Sequence, residues 1–133
     1  MDKFERHKRR IIIIDDDIQL ADLYRETLGK KNLGSQLIHL KNGAEGLKFL
    51  KNADAEQLPE YILLDLYMPE MDGFEFLERF SKLNNLRNRI EIYVCSSSKN
   101  KEDRDEVMNY PFVSAFLEKP LSEEFLEMLI LEP

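Results

Sequence analysis

The chain has 133 residues, a formal net charge of −7 and a sequence isoelectric point of about 4.9, and it contains one cysteine, Cys95. This length predicts one domain over residues 1–133, with a core from about 10 to 131. A net acidic chain gains no electrostatic attraction to nucleic acid, no apolar run approaches the roughly 18 residues of a membrane span, and one thiol cannot close an internal disulfide. These features argue against direct nucleic-acid binding and a membrane span, and they favour a cytoplasmic protein.

Strand-like and helix-like segments alternate along the chain. The first half predicts a strand at Ile11–Ile14, a helix over 18 to about 30, a strand over 36–40, a helix capped by Asn42, and a strand at Tyr61–Leu64. The second half predicts a helix from about Gly73, a strand over 90–95, a helix over about 101–110, a strand over 113–117, and a helix from its cap Ser122 to about Leu131. The fourth helix is so polar that it gains little from burial and is expected to open easily.

Alternating strands and helices of this kind predict an α/β fold with a parallel sheet covered by helices on both faces. Right-handed crossovers favour a doubly wound sheet with strand order 2-1-3-4-5. Polar side chains follow the strands at one edge of that sheet: Asp15 and Asp16 after the first, Asp65 after the third, Ser96 after the fourth and Lys119 after the fifth. We therefore expect these side chains to share one pocket.

Such a pocket has a distinctive charge balance. Three carboxylates at close range repel one another, and Mg²⁺, which prefers hard oxygen ligands, relieves that repulsion. The negative charges of Asp15, Asp16 and Asp65, the positive charge of Lys119 and a bound Mg²⁺ sum to zero. A carboxylate can act as a nucleophile and form an acyl phosphate, with the cation and the lysine stabilising the transferring group.

Taken together, these motifs resemble a response-regulator receiver domain of two-component signalling, of the single-domain chemotaxis type, over nearly the whole chain. The resemblance rests on Asp15-Asp16 after the first strand, Asp65 followed by Met68-Pro69 and Asp72-Gly73, Ser96 after the fourth strand, and Lys119-Pro120 after the fifth. It implies a flavodoxin-like (βα)5 fold with no output domain.

The resemblance also implies a role for each site residue. Asp65 matches the phosphoacceptor, and Asp15, Asp16, Asp65 and the backbone carbonyl of Tyr67 match the Mg²⁺ ligands. Ser96 and Lys119 match the groups that contact the phosphoryl group. Ser96 and Phe116 match the switch residues, and Pro120 matches a proline preceded by a cis bond.

The implied partners are a histidine kinase or phosphotransfer protein as phosphodonor, and a downstream protein. The implied signal is a change in the face formed by helix 4, strand 5 and helix 5. Self-phosphorylation from phosphodonors and autodephosphorylation are the most that is expected as enzyme activity. Two alternatives stay open: a pseudo-receiver that binds its partner without phosphorylation, and an aspartate-nucleophile phosphatase of the haloacid-dehalogenase type. The second class needs an acid two residues after the nucleophile, where this chain has Tyr67.

Three further expectations concern helices and a histidine. Asp16 or Asp17 is predicted to cap the first helix, with Asp17 a helix-dipole partner more than a metal ligand. His39 is predicted to be structural.

The last helix is expected to pack inward through Leu121, Phe125, Met128 and Leu129. This packing leaves Leu126 and Ile130 exposed as a docking or homodimer surface. The alternative is a helix that only covers strand 5.

Overall fold

The sheet has five parallel strands in the order β2-β1-β3-β4-β5 in the computed structural model, which describes residues 8–97 and 100–131. The strands are β1 (Ile11–Ile14), β2 (Leu37–Leu40), β3 (Tyr61–Leu64), β4 (Glu91–Ser96) and β5 (Val113–Glu118). The helices are α1 (Ile18–Gly29), α2 (Gly43–Asn52), α3 (Gly73–Phe80), α4 (Lys101–Val107) and α5 (Glu123–Leu131). The predicted doubly wound, flavodoxin-like order is confirmed.

Strand β1 lies between β2 and β3 in the sheet, and its four isoleucines are all buried. Alternate side chains of a strand point to opposite faces, so Ile11–Ile14 supplies both layers of the core. Ile12 and Ile14 pack with residues of α2, α3 and α4, whereas Ile11 and Ile13 pack with residues of α1 and α5. This double coverage explains why the strand is continuously apolar.

Each helix begins just after a side chain that accepts a hydrogen bond from an amide of the first turn. These capping residues are Asp17, Asn42, Asp72, Asn100 and Ser122. The predicted caps Asn42 and Ser122 are confirmed, and Asp17, of the two candidates, caps α1. Because Asp17 and Asp72 lie close behind β1 and β3, their caps turn the chain at the carboxyl edge of the sheet.

The prediction for the last helix is wrong in its orientation. Leu126 and Ile130 are 1% and 0% exposed, whereas Met128, expected to pack inward, is 43% exposed. The buried positions Leu126, Leu129 and Ile130 form an i, i+3, i+4 stripe that faces α1 and the sheet. An exposed patch built on Leu126 and Ile130 is therefore excluded, and the apolar side chain that α5 exposes is Met128.

Helix α4 is shorter than predicted and ends at Val107, which is the one residue of this helix that is buried. Strands β4 and β5 both extend one residue further than predicted, to Ser96 and Glu118. Within the described ranges, none of the helices has both the length and the apolar character that crossing a bilayer requires.

Candidate functional site

The carboxylates that follow β1 and β3 meet at the carboxyl edge of the sheet. The backbone amide of Asp15 donates to the carbonyl of Leu40, and that of Asp65 donates to the carbonyl of Ile14, so the ladder holds both residues one position beyond their strands. One carboxylate oxygen each from Asp15, Asp16 and Asp65 lies within 4.8 Å of the others. Asp15 and Asp65 are buried, and Asp16 is exposed.

Lys119, which follows β5, reaches into this cluster. Its Nζ donates a 2.9 Å hydrogen bond to Oδ2 of Asp15 and lies 3.5 Å from Oδ1 of Asp65. Burial lowers the pKa of Lys119, but the hydrogen bond to Asp15 and the charges of both carboxylates outweigh it, so its pKa is raised. The ammonium is therefore charged and shared between two carboxylates.

The carboxylate of Asp65 resists ionisation. Burial first, and then the charge of Asp15, raise its pKa to about 6, against the opposing effects of Lys119 and of the Tyr67 backbone amide. Burial and a neighbouring acid both oppose the ionisation of this carboxylate. Any added positive charge nearby therefore favours its ionised form.

The donor set fits a magnesium ion. Carboxylate oxygens of three aspartates converge, and hard oxygens of this kind are the ligands that Mg²⁺ prefers. Asp17 takes no part in the convergence, because its Oδ1 accepts a 3.0 Å hydrogen bond from the amide of Leu20 in α1. Asp15, Asp16 and Asp65 are thus the side chains that would hold the ion.

The loop behind Asp65 is tightly packed against the start of α3. The amide of Gly73 donates a 2.8 Å hydrogen bond to the carbonyl of Leu66. A Cβ atom at Gly73 would lie 2.5 Å from the carbonyl oxygen of Asp65 and 2.7 Å from Cα of Leu66. Only glycine, which has no Cβ atom, allows the start of α3 to lie this close to the backbone of Asp65.

Tyr67, two residues after Asp65, links this loop to α4. Tyr67 is 57% exposed, and its ring makes an edge contact with that of Phe74, with ring centroids 6.0 Å apart. Its hydroxyl donates a hydrogen bond to the carboxylate of Asp103 in the first turn of α4. The contact joins the loop that carries Asp65 to the helix that was predicted to be weakly anchored.

The remaining predicted site residues lie on β4 and β5. Ser96 ends β4, is 2% exposed, and its carbonyl accepts a 2.8 Å hydrogen bond from the amide of Lys119. Phe116 on β5 is half-buried and packs against the core layer of α2, α3 and α4. The peptide bond between Lys119 and Pro120 is cis, as the resemblance implies.

Two contacts of the site were not predicted. Nε2 of His39 donates a 2.7 Å hydrogen bond to the carbonyl of Asp15, so this structural histidine supports the site from β2. The hydroxyl of Tyr24 in α1 accepts a 2.9 Å hydrogen bond from the amide of Leu121, behind Lys119. Their partners lie 24 and 97 residues away in sequence, where no local pattern marks them.

Comparisons with known proteins agree with this geometry. The model of the response regulator receiver domain family matches residues 11–130. The chain is 33% identical to the sensor histidine kinase CheAY of Helicobacter pylori over 120 residues, which cover 90% of this chain and 14% of that protein. It is 32% identical to the sporulation initiation phosphotransferase F of Bacillus subtilis over 79 residues, 59% of each chain. The chain therefore spans less than two thirds of either relative.

A solved structure shows the same similarity in three dimensions. The response regulator receiver protein of Dyadobacter fermentans superimposes with a TM-score of 0.75 at 29% sequence identity. The match covers 90% of this chain and 93% of that one, so nearly the whole α/β unit is shared.

Proposed function

This chain belongs to the response regulator receiver domains of two-component systems, and from that premise we propose that Asp65 is a phosphoacceptor whose phosphorylation requires Mg²⁺. The convergence of Asp15, Asp16 and Asp65 within 4.8 Å is the observation that supports this most. Acids so close together repel one another when ionised, and nearby cations relieve that repulsion; Lys119 supplies one such charge.

The proposed ligands of the ion are the carboxylates of Asp15, Asp16 and Asp65 and the backbone carbonyl of Tyr67. When bound, Mg²⁺ supplies the positive charge that keeps Asp65 ionised and attracts phosphoryl oxygens. With Lys119 protonated, the site then carries no net charge and accepts a phosphoryl group without a large electrostatic penalty.

Asp65 acts as the nucleophile in its ionised form. One of its carboxylate oxygens forms a bond to phosphorus while the bond from phosphorus to the donor atom breaks, and the electron pair of that bond stays with the leaving group. Lys119 stabilises the negative charge that the transferring group carries. The arrangement of Lys119 between Asp15 and Asp65 supports this role.

Phosphorylation adds negative charge at Asp65, and Ser96 and Lys119 are the proposed donors that respond to it. Ser96 ends the strand that leads to α4, so its movement would pull on that helix. Helix α4 buries Val107 alone among its residues, and such an element shifts at small free-energy cost. We therefore propose that the α4–β5–α5 face, with Phe116 as a second switch residue, changes on phosphorylation.

The proposed phosphodonor is a histidine kinase or phosphotransfer protein, and the proposed output is binding of a downstream protein, relay of the phosphoryl group, or homodimerisation. The similarity to a sensor histidine kinase and to a phosphotransferase supports a place in such a chain of phosphoryl transfers.

The exposed Met128 of α5 replaces Leu126 and Ile130 as the apolar residue through which a dimer would form. We propose a cytoplasmic location, because the single cysteine, Cys95, is buried and one thiol cannot close an internal disulfide.

Incubation with acetyl phosphate tests the proposal. Intact mass should show one phosphoryl group on the wild type with Mg²⁺ and none when EDTA is present. A steady-state release of phosphate from phosphomonoesters would instead favour the phosphatase. Partner binding with no mass gain under any condition would favour the pseudo-receiver.

Sedimentation with and without fluoroberyllate, a phosphoryl mimic, tests the dimer. Wild type should associate only with the mimic, and Met128→Glu should stay monomeric. A wild type that stays monomeric with the mimic would contradict homodimerisation and leave binding of a different protein as the output.

A further inference from the structure

The segment that carries Lys119 leaves β5 at Glu118 and is held by its backbone at two points. The amide of Lys119 donates a 2.8 Å hydrogen bond to the carbonyl of Ser96 on β4. Pro120 has no amide proton. The next amide, that of Leu121, donates a 2.9 Å hydrogen bond to the hydroxyl of Tyr24 on α1. One anchor is therefore main chain to main chain, and the other depends on a single side-chain oxygen.

Tyr24 is built into the core and is a rigid support. It is 3% exposed and packs in the layer that α1 and α5 form on the sheet. Burial is the main cause of its raised pKa, so the phenol stays protonated at neutral pH. The same residue lies, together with Asp15, Asp65 and Lys119, around a gap that is too small to hold a water molecule. The buried hydroxyl of Tyr24 thus lies beside the charge cluster. It accepts a hydrogen bond from the backbone two residues after Lys119.

The position of the Lys119 backbone matters because its ammonium must serve two carboxylates. Nζ lies 2.9 Å from Asp15 and 3.5 Å from Asp65, a geometry that small backbone shifts would change. A lysine side chain has several rotatable bonds, so it takes up one geometry only if its backbone and surroundings restrict it. Misplacement of a catalytic group by about 1 Å can cost as much as 100-fold in rate.

We propose that Tyr24 is a positioning residue for phosphoryl transfer: through its hydrogen bond to Leu121 it holds Lys119 in place between Asp15 and Asp65. The inference rests on the proposed function, since it assigns a role within that reaction. It concerns a side chain outside the cluster of acids and outside the motifs that predicted the site.

Tyr24→Phe is the direct test, because it keeps the buried ring and removes only the hydroxyl. In the metal-free protein, the amide of Leu121 should exchange its hydrogen roughly 3- to 10-fold faster, as expected for the loss of one hydrogen bond. With saturating Mg²⁺ and acetyl phosphate, the maximal rate of phosphorylation should fall by a similar factor. The dissociation constant for Mg²⁺ should not change, because the acidic ligands lie on other segments.

Tyr93→Phe is a matched control. Tyr93 is a half-buried tyrosine of β4 in the same layer, and its hydroxyl makes no hydrogen bond to residues 119–121. Its removal should leave both the exchange of Leu121 and the rate of phosphorylation at the wild-type level.

A second comparison separates positioning from a general structural effect. In a Lys119→Ala background, Tyr24→Phe should slow phosphorylation no further, because the residue that it positions is absent. An equal loss in both backgrounds, a loss of Mg²⁺ affinity that matches the loss of rate, or an unchanged rate despite faster Leu121 exchange would each overturn the inference. A wild type that takes up no phosphoryl group would instead reject the proposed function, whatever Leu121 exchange showed.

Discussion

The ammonium of Lys119 lies 2.9 Å from the carboxylate of Asp15 and forms its shorter ion pair there. The distance to Asp65 is longer, 3.5 Å, so the proposed nucleophile shares a cation that a neighbouring acid holds more closely. This unequal sharing fits the raised pKa of Asp65, because the lysine offsets the effects of burial and of Asp15 only in part.

Asp65→Asn should therefore stabilise the metal-free protein at neutral and alkaline pH. The native pKa of Asp65 is about 6, above its ordinary value of 3.8, so ionisation costs stability as the pH rises from about 4 through 6. Asparagine cannot ionise and avoids that cost. Thermal unfolding in EDTA should give a higher midpoint for the variant at pH 8, and a difference that shrinks or vanishes at pH 4. Equal midpoints at pH 8 would show that the buried carboxylate is not destabilising.

The metal should depend on Asp16 and not on Asp17. Asp16 belongs to the converging acids, whereas Asp17 is engaged by the amide of Leu20 as the cap of α1. Asp16→Asn should weaken Mg²⁺ binding strongly in a titration followed by calorimetry. Asp17→Asn keeps a capping side chain and should bind Mg²⁺ almost as well as wild type, and Asp17→Ala should lose about 1 kcal/mol of stability. A larger loss of Mg²⁺ affinity at Asp17 than at Asp16 would exclude this set of ligands.

The position of Gly73 against the backbone of Asp65 gives a paired prediction. Gly73→Ala would place its methyl group 2.5 Å from the Asp65 carbonyl, and the repair of that overlap should cost roughly 1–3 kcal/mol in chemical unfolding. Gly29→Ala, at the end of α1, meets no atom within 4 Å and should be neutral or stabilising by up to about 1 kcal/mol. Comparable losses at both glycines would show that the close approach is not the cause.

Most of the site residues could be predicted from sequence, because they follow directly behind apolar strands. Asp65 and Lys119 are marked in that way, and the sheet order brings them together. The orientation of α5 could not be predicted, since apolar residues surround most of that short helix and its packing against α1 selects the buried stripe. The role of Tyr24 could not be predicted either, because its partner Leu121 is 97 residues away and no local pattern links the two.

The contact between Tyr67 and Asp103 predicts a measurable change in α4. Tyr67→Phe removes the hydrogen bond that joins the loop behind Asp65 to the first turn of this helix. Hydrogen exchange in α4 should become faster, while global stability should change little because the pair is exposed. Tyr110→Phe is the control, since the hydroxyl of Tyr110 donates to Glu78 of α3 instead. Faster exchange of α4 in the control alone would assign the restraint to Tyr110.

Location of the phosphoryl group tests the central claim most directly. Wild type and Asp65→Asn are treated with acetyl phosphate and Mg²⁺, the acyl phosphate is reduced with borohydride, and the modified residue is identified by tandem mass spectrometry of peptides. We predict reduction at Asp65 alone in wild type, no modified residue in Asp65→Asn, and none in either protein treated with EDTA. A modified residue at Asp15 or Asp16 in the wild type, or one that persists without metal, would contradict the assignment of Asp65 as the metal-dependent phosphoacceptor.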